Sequence, residues 1–132
     1  MIASDLTSMP NPAGRSRRGI GRSPKPKQCY ARAGQYQLEH PDVTLVHGII
    51  DTGLGYFVHA WCELPEGIVF DGADNAFYRT GEYRAHVSVA LELRYTTKQA
   101  AERVVESGAW ANWDLNDGVL ADFLRTREGA PG

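Results

Sequence analysis

Hydrophobic and polar residues repeat along this chain with two different periods, and the change of period predicts the order of its helices and strands. Between residues 28 and 39, small and apolar side chains recur every three or four positions, as they do along one face of an α-helix. His40-Pro41-Asp42 ends that pattern, because proline cannot continue a helix. Runs rich in β-branched and aromatic residues follow, and they predict strands over residues 43–50, 56–64 and 68–71.

The second and third predicted strands are joined by Pro65-Glu66-Gly67, a sequence typical of a tight turn. After the third strand, a stretch rich in glycine, aspartate and asparagine is interpreted as a loop. From residue 86 to residue 95, apolar and polar side chains alternate strictly, which predicts a fourth strand with one apolar face. That face comprises Val87, Val89, Leu91, Leu93 and Tyr95.

Two helices are predicted to close the chain. Thr96-Thr97 has the chemistry of a helix cap, and the helix extends to about Ser107, where Gly108 ends it. A last short helix is predicted over residues 117–127. One helix, then mostly sequential strands, then further helices indicate an α+β domain in which the first helix packs on an antiparallel sheet.

The first 27 residues differ from the rest in composition and charge. They hold four of the seven prolines and six basic residues against the single acid Asp5, leaving eight basic and fifteen acidic residues to the other 105. Such a segment cannot bury enough apolar surface to offset its ordering entropy, so we predict a flexible basic tail over residues 1–27 and one domain over residues 28–132. The tail has no aromatic residues to stack on bases, and the acidic body would repel phosphates, which disfavours nucleic acid as a partner.

The remaining composition narrows the class of protein. No apolar run approaches the roughly 20 residues that a membrane helix needs, and the N-terminus lacks the apolar stretch of a secretory signal. Two cysteines make at most one disulfide, too few for a disulfide-stapled scaffold. The sequence therefore predicts a cytoplasmic protein with no membrane partner, and it leaves the oligomeric state open.

Cys29 is the first candidate for chemistry. It lies in the first turn of the first predicted helix, where unpaired backbone N–H groups and the positive end of the helix dipole stabilise a thiolate. A cysteine in such a position is by itself more often incidental than catalytic. Its significance therefore depends on a base within reach.

His59 and Asp71 supply that base and its partner if the hairpin has the right register. With a three-residue loop, Leu64 pairs with Ile68, and Asp71 falls on the His59 face of the sheet, one diagonal step away. Asp71 can then fix the imidazole tautomer while the other ring nitrogen faces the thiol. A two-residue loop would instead point Asp71 away from His59.

Together these residues resemble the transglutaminase-like superfamily of cysteine hydrolases, over about residues 28–80. The likeness is greatest to small bacterial members such as the lasso-peptide leader peptidases, whose motif is His-Ala-Trp-Val-Glu, a glycine turn and a strand ending in Asp. Uncharacterised bacterial and phage proteins with a Cys-Tyr helix and a His-Ala-Trp strand are also similar. In this chain Cys62 replaces the usual valine. The matching segments are Cys29-Tyr30-Ala31-Arg32-Ala33, Val46-His47-Gly48, His59-Ala60-Trp61-Cys62-Glu63 and Ile68-Val69-Phe70-Asp71.

The resemblance implies a papain/transglutaminase-like core and a Cys29, His59 and Asp71 triad acting on a peptide or amide bond through a thioester. Water would resolve the thioester by hydrolysis, loss of ammonia would give deamidation, and an amine would give transfer. Gln28 and Trp61 are weaker candidates for an oxyanion donor or a substrate-lining residue. The predicted partner is a peptide or protein substrate, and no cofactor is expected.

Two other interpretations compete with the enzyme. Cys29, His47, His59 and Cys62 could form a zinc site, but His59 and Cys62 lie on opposite faces of one strand, so we predict no metal. The same fold could instead serve a non-catalytic binding or inhibitor protein of the phage or toxin-system type. Because the basic tail leads directly into the Cys29 helix, we also predict that it covers the active-site cleft or forms one wall of it.

Overall fold

The computed structural model describes the backbone of residues 29–129 and the side chains of residues 29–126. The described residues form five strands and four helices. In chain order these are α1 Cys29–Glu39, β1 Thr44–Asp51, β2 Tyr56–Leu64, β3 Ile68–Asp71, β4 Ala76–Arg79, α2 Thr80–Val87, β5 Val89–Tyr95, α3 Thr97–Ser107 and α4 Asp117–Gly129. The predictions for the basic tail, for its position over the cleft and for Gln28 lie outside the described residues.

The five strands form one sheet in the order β4-β3-β2-β1-β5. All four neighbouring pairs are antiparallel; short hairpins join three of them, and β1 pairs with β5 across a longer stretch of chain. The α+β class and the antiparallel sheet are therefore confirmed. No helix among residues 29–129 is long and apolar enough to cross a membrane.

The two faces of the sheet carry two separate apolar clusters. Side chains alternate between faces along each strand, so neighbours such as Trp61 and Cys62 of β2 belong to different clusters. We call the first the α1-side core; it includes Ala33, Tyr36, Leu45, Cys62 and Phe70. We call the second the α2-side core; it comprises Val46, Trp61, Val69, Tyr78 and Tyr83.

The hairpin between β2 and β3 has the predicted three-residue loop. Leu64 pairs with Ile68, and Gly67 adopts a φ of +79°, a left-handed conformation that glycine adopts without steric cost. Continuing the register places Asp71 beside Trp61, on the α2 side of the sheet. The prediction that Asp71 shares a face with His59 is thus confirmed.

The stretch between β3 and β5 differs from the prediction. It contains β4 and α2, where the sequence pattern predicts a loop. The sequence gives no helical pattern here because α2 is mostly polar and buries only Tyr83. A helix held by one buried residue has no visible apolar stripe.

The apolar face predicted for residues 86–95 is also wrong. Val87 belongs to α2, and the β1–β5 register shifts so that Ile49 pairs with Leu91 while Ile50 pairs with Val89. The extra residue in β5 reverses the alternation at that point. Val89 consequently packs against the α2-side core, whereas Leu93 and Tyr95 belong with the α1-side core.

The predicted boundaries of α3 are confirmed. Thr96 accepts a hydrogen bond from the Gln99 backbone N–H, and the Gln99 side chain accepts one from the Thr96 backbone, which together form a capping box. Gly108 follows the last turn in a left-handed conformation with a φ of +84°.

Candidate active site

Cys29 is the first residue of α1 and is 3 % exposed. The first turn of α1 lies against the backbone that follows β3, because a Cβ atom built on Gly72 would come within 2.7 Å of the Arg32 Cβ. Only a residue without a side chain allows so close an approach. Gly72 thus lets the end of β3, where Asp71 lies, approach the start of the Cys29 helix.

His59 and Asp71 form a direct pair on the α2 side of the sheet. The distance from His59 Nε2 to Asp71 Oδ2 is 3.2 Å, and the side chains are 16 % and 9 % exposed. Burial raises the pKa of Asp71, but its bonds to His59, Tyr83 and the Ala73 N–H outweigh that effect and lower it overall. Asp71 is therefore an ionised acceptor, and Nε2 must be the nitrogen that donates.

Cys29 completes the group from the opposite side of the sheet. Burial lowers the pKa of His59, but hydrogen bonds with Asp71 and with Cys29, together with the electrostatic effects of both side chains, raise it well above its ordinary value. Because Nε2 faces Asp71, Nδ1 is the nitrogen left to meet the thiol. The three predicted residues are thus brought together, with His59 between Asp71 and Cys29.

Tyr83 belongs to the same group, and the sequence reading missed it. Its hydroxyl donates to Asp71 Oδ2 at 2.6 Å, and its oxygen lies 3.1 Å from His59 Nε2. Burial and the charge of Asp71 raise the pKa of Tyr83 well above its ordinary value, so it stays a neutral donor. Tyr83 lies on a polar helix without an apolar stripe, so no local sequence pattern identifies it as a site residue.

Trp61 is fully buried in the α2-side core beside these residues. Its ring centroid lies 5.9 Å from that of His59 and 5.6 Å from that of Tyr83. Its indole N–H donates to Glu63 Oε2 at 3.2 Å. Trp61 therefore packs behind His59, with no exposed surface of its own.

Cys62 lies on the other face of β2, as predicted. It is fully buried, its thiol donates to the Ala33 carbonyl at 3.0 Å, and burial raises its pKa. The second thiol therefore belongs to the α1-side core and favours its neutral form. Among residues 29–129, no group of three His, Cys, Asp or Glu side chains could hold a metal ion.

His47 is a second buried histidine, on the α1 side of the sheet. Its ring is 1 % exposed and packs against the rings of Tyr30, Tyr95 and Trp113, with centroids 5.2, 5.0 and 5.1 Å away. Burial lowers the pKa of His47 to about 4, against a smaller opposing effect of Asp114. His47 is therefore neutral near pH 7.

The chain matches no protein-family model, no curated protein and no solved structure to which it was compared. The site is therefore interpreted from its own geometry and chemistry.

Proposed function

We propose that this protein is a cysteine-dependent hydrolase or acyl transferase that attacks a peptide or amide carbonyl through Cys29. The observation that carries the proposal is the position of the His59 ring, which interacts with the Asp71 carboxylate and with the Cys29 thiol. A thiol, a base and a carboxylate that orients the base are the groups that thiol nucleophiles require.

The reaction uses the two nitrogens of His59 for different tasks. Nδ1 holds the proton taken from the thiol, in the imidazolium form that the raised pKa of His59 favours, while the Cys29 sulfur forms a bond to the substrate carbonyl carbon and Nε2 keeps its hydrogen bond to Asp71. His59 then returns the proton to the leaving amine as the C–N bond breaks, which leaves a thioester on Cys29. Water converts the thioester to a carboxylic acid and the free thiol, whereas an amine forms a new amide.

The carbonyl oxygen gains negative charge during this attack and needs hydrogen-bond donors. Cys29 is the first residue of α1, so its backbone N–H has no acceptor within the helix. That N–H is our candidate donor, and the positive end of the helix dipole favours the same charge.

The proposal extends to the fold family, the partner and the compartment. A papain/transglutaminase-like core is supported by the chain order of α1 with Cys29, β2 with His59 and β3 with Asp71. The substrate class is a peptide or protein that presents an amide bond. Both cysteines are free thiols, which is typical of a reducing compartment such as the cytoplasm.

Alkylation of Cys29 with iodoacetamide tests the proposal directly. At pH 6, Cys29 of the folded protein should react at least about tenfold faster than a free thiol, because the imidazolium of His59 stabilises the thiolate. His59→Gln should abolish the excess rate. His86→Gln is the matched control, since His86 is exposed on α2, and it should leave the rate unchanged. A wild-type rate no higher than that of the free thiol would refute the activated nucleophile.

A second candidate function is a non-catalytic binding or inhibitor protein on the same fold. The burial of Cys29, at 3 % exposure, favours it, because a nucleophile must reach its substrate. In that case the site residues stabilise the fold only. Cys29 alkylation would then be slow in the native state, and His59→Gln would lower the free energy of unfolding without changing that rate.

A further inference from the structure

The Tyr83 hydroxyl closes a triangle of hydrogen bonds with Asp71 and His59. It donates to Asp71 Oδ2 at 2.6 Å and lies 3.1 Å from His59 Nε2, while Nε2 is 3.2 Å from the same Oδ2. We propose that Tyr83 is a positioning residue: it holds the carboxylate and the imidazole so that His59 Nδ1 faces Cys29. This inference rests on the function proposed above.

The first support is that both oxygens of Asp71 are engaged. Oδ1 accepts a hydrogen bond from the Ala73 backbone N–H at 2.8 Å, and Oδ2 accepts one from Tyr83. A carboxylate whose two oxygens are both hydrogen-bonded cannot rotate freely about its Cβ–Cγ bond. Without the hydroxyl, only the Ala73 N–H and His59 would orient it.

The second support is the choice of tautomer. Nε2–H has two acceptors within hydrogen-bond distance, the Asp71 carboxylate and the Tyr83 oxygen. Both hold the proton on Nε2, so Nδ1 is the nitrogen that exchanges its proton with Cys29. The other titratable groups that act on this site are Cys29 at the start of α1, Asp74 after β3 and Tyr78 of β4.

The third support is that packing alone does not require the hydroxyl. Tyr83 is 1 % exposed, and its ring lies 5.6 Å from Trp61 and 5.5 Å from Tyr78 between centroids, contacts that phenylalanine would also make. A buried hydroxyl is costly unless it is hydrogen-bonded, and the bonds of this one go to Asp71 and His59.

The helix that carries Tyr83 is held in place by an ionic network on the sheet. Arg84 donates to Glu63 Oε2 at 2.7 Å and also bonds to Glu92. Arg94 donates to Glu63 Oε1 at 2.7 Å and to Glu92 Oε2 at 2.9 Å. These bonds fix α2 against β2 and β5, next to the position where Tyr83 enters the site.

Tyr83→Phe removes the hydroxyl and keeps the ring. The matched control is Tyr95→Phe, since the Tyr95 hydroxyl also donates to a carboxylate, Asp114 Oδ2 at 2.7 Å, on the α1 side of the sheet. We would measure the titration of His59 by ¹⁵N NMR in full-length chains carrying Cys29→Ser. Tyr83→Phe should lower the His59 pKa by about one unit, because the Asp71 carboxylate, no longer held by the hydroxyl, can turn away from Nε2 and stabilise the imidazolium less. Tyr95→Phe should leave it unchanged.

Alkylation of Cys29 in the otherwise unchanged chain gives the second readout. Tyr83→Phe should lower the rate at pH 6 by about threefold or more, and Tyr95→Phe should not. A Tyr83→Phe protein with a lower melting temperature but an unchanged or higher His59 pKa would overturn the positioning role. Because the His59 titration is read without Cys29, slow wild-type alkylation would count against the proposed function and not against Tyr83.

A measurement on the unsubstituted chain keeps the proposal testable if Tyr83→Phe does not fold. In ¹⁵N spectra at a pH where His59 is neutral, Nε2 should carry the proton and Nδ1 the lone pair. The opposite tautomer, or rapid averaging between the two, would show that Tyr83 and Asp71 do not hold the ring.

Discussion

His47 and His59 lie on neighbouring antiparallel strands, yet their pKa values move in opposite directions. In the register, His47 pairs with Ala60 and Gly48 pairs with His59, so the two imidazoles point to opposite faces of the sheet. Aromatic rings surround His47 and favour its neutral form, whereas Asp71 and Cys29 favour the charged form of His59. At the scale of the residue, the face of the strand decides whether a histidine can act as a base.

The buried His47 should make the protein less stable in acid. Its pKa is about 4 in the folded protein against an ordinary value of 6.5, so the unfolded state binds the proton more readily. The stability that the neutral ring contributes is complete above pH 6.5 and is lost as the pH falls toward 4. That loss amounts to about 3 kcal/mol.

Urea unfolding of the wild type and of His47→Phe, between pH 7.5 and pH 4, measures this effect. The difference in free energy of unfolding between the two proteins should shift by about 3 kcal/mol in favour of the variant as the pH falls. Other titrating groups cancel in that difference. A constant difference across the range would mean that His47 does not titrate on unfolding.

At the scale of the element, the contact between α1 and the end of β3 depends on Gly72. The hairpin register determines the face on which Asp71 lies, but the approach of the Cys29 helix requires that the next residue have no side chain. The sequence pattern predicts both elements but indicates no role for Gly72. A close approach between distant parts of the chain leaves no periodic pattern in the sequence.

Gly72→Ala should separate α1 from β3 and impair the site. Its Cβ would lie 2.7 Å from the Arg32 Cβ, too close for either backbone to remain in place. We expect a loss of about 1–3 kcal/mol in the free energy of unfolding, together with slower alkylation of Cys29.

Gly81→Ala is the control for that prediction. A Cβ built on Gly81 meets no atom within 4 Å, and alanine favours the helix α2 in which Gly81 lies. It should leave Cys29 alkylation unchanged and stability equal or slightly higher. Equal effects of the two substitutions would contradict the steric role of Gly72.

At the scale of the whole molecule, the site forms where the two sides of one sheet meet. Cys29 belongs to the α1-side core, while His59, Asp71 and Tyr83 lie with the α2-side core. β3 pairs with β2 only at Cys62, Glu63 and Leu64. His59 lies beyond that paired region, where groups from both faces can reach it.

The two thiols should therefore be alkylated under different conditions, one in the native protein and the other only after unfolding. Under native conditions iodoacetamide should add one label, at Cys29, because Cys62 is fully buried and hydrogen-bonded to Ala33. A second label should appear only at the rate of global unfolding. Mass spectrometry of the intact protein counts the labels, and Cys62→Val should keep the first and lose the second. Two labels appearing at similar native rates would contradict this assignment.

The sequence by itself determined the order of most elements and the geometry of one hairpin. Turn chemistry at Pro65-Glu66-Gly67 and the two-residue period of strands are local, so the common face of His59 and Asp71 follows from them. Only the tertiary structure decided that α2 exists, that β5 contains an extra residue and that Tyr83 completes the site. The physical reason is that α2 is held by one buried ring and by ion pairs to distant strands, and such contacts depend on where the rest of the chain lies.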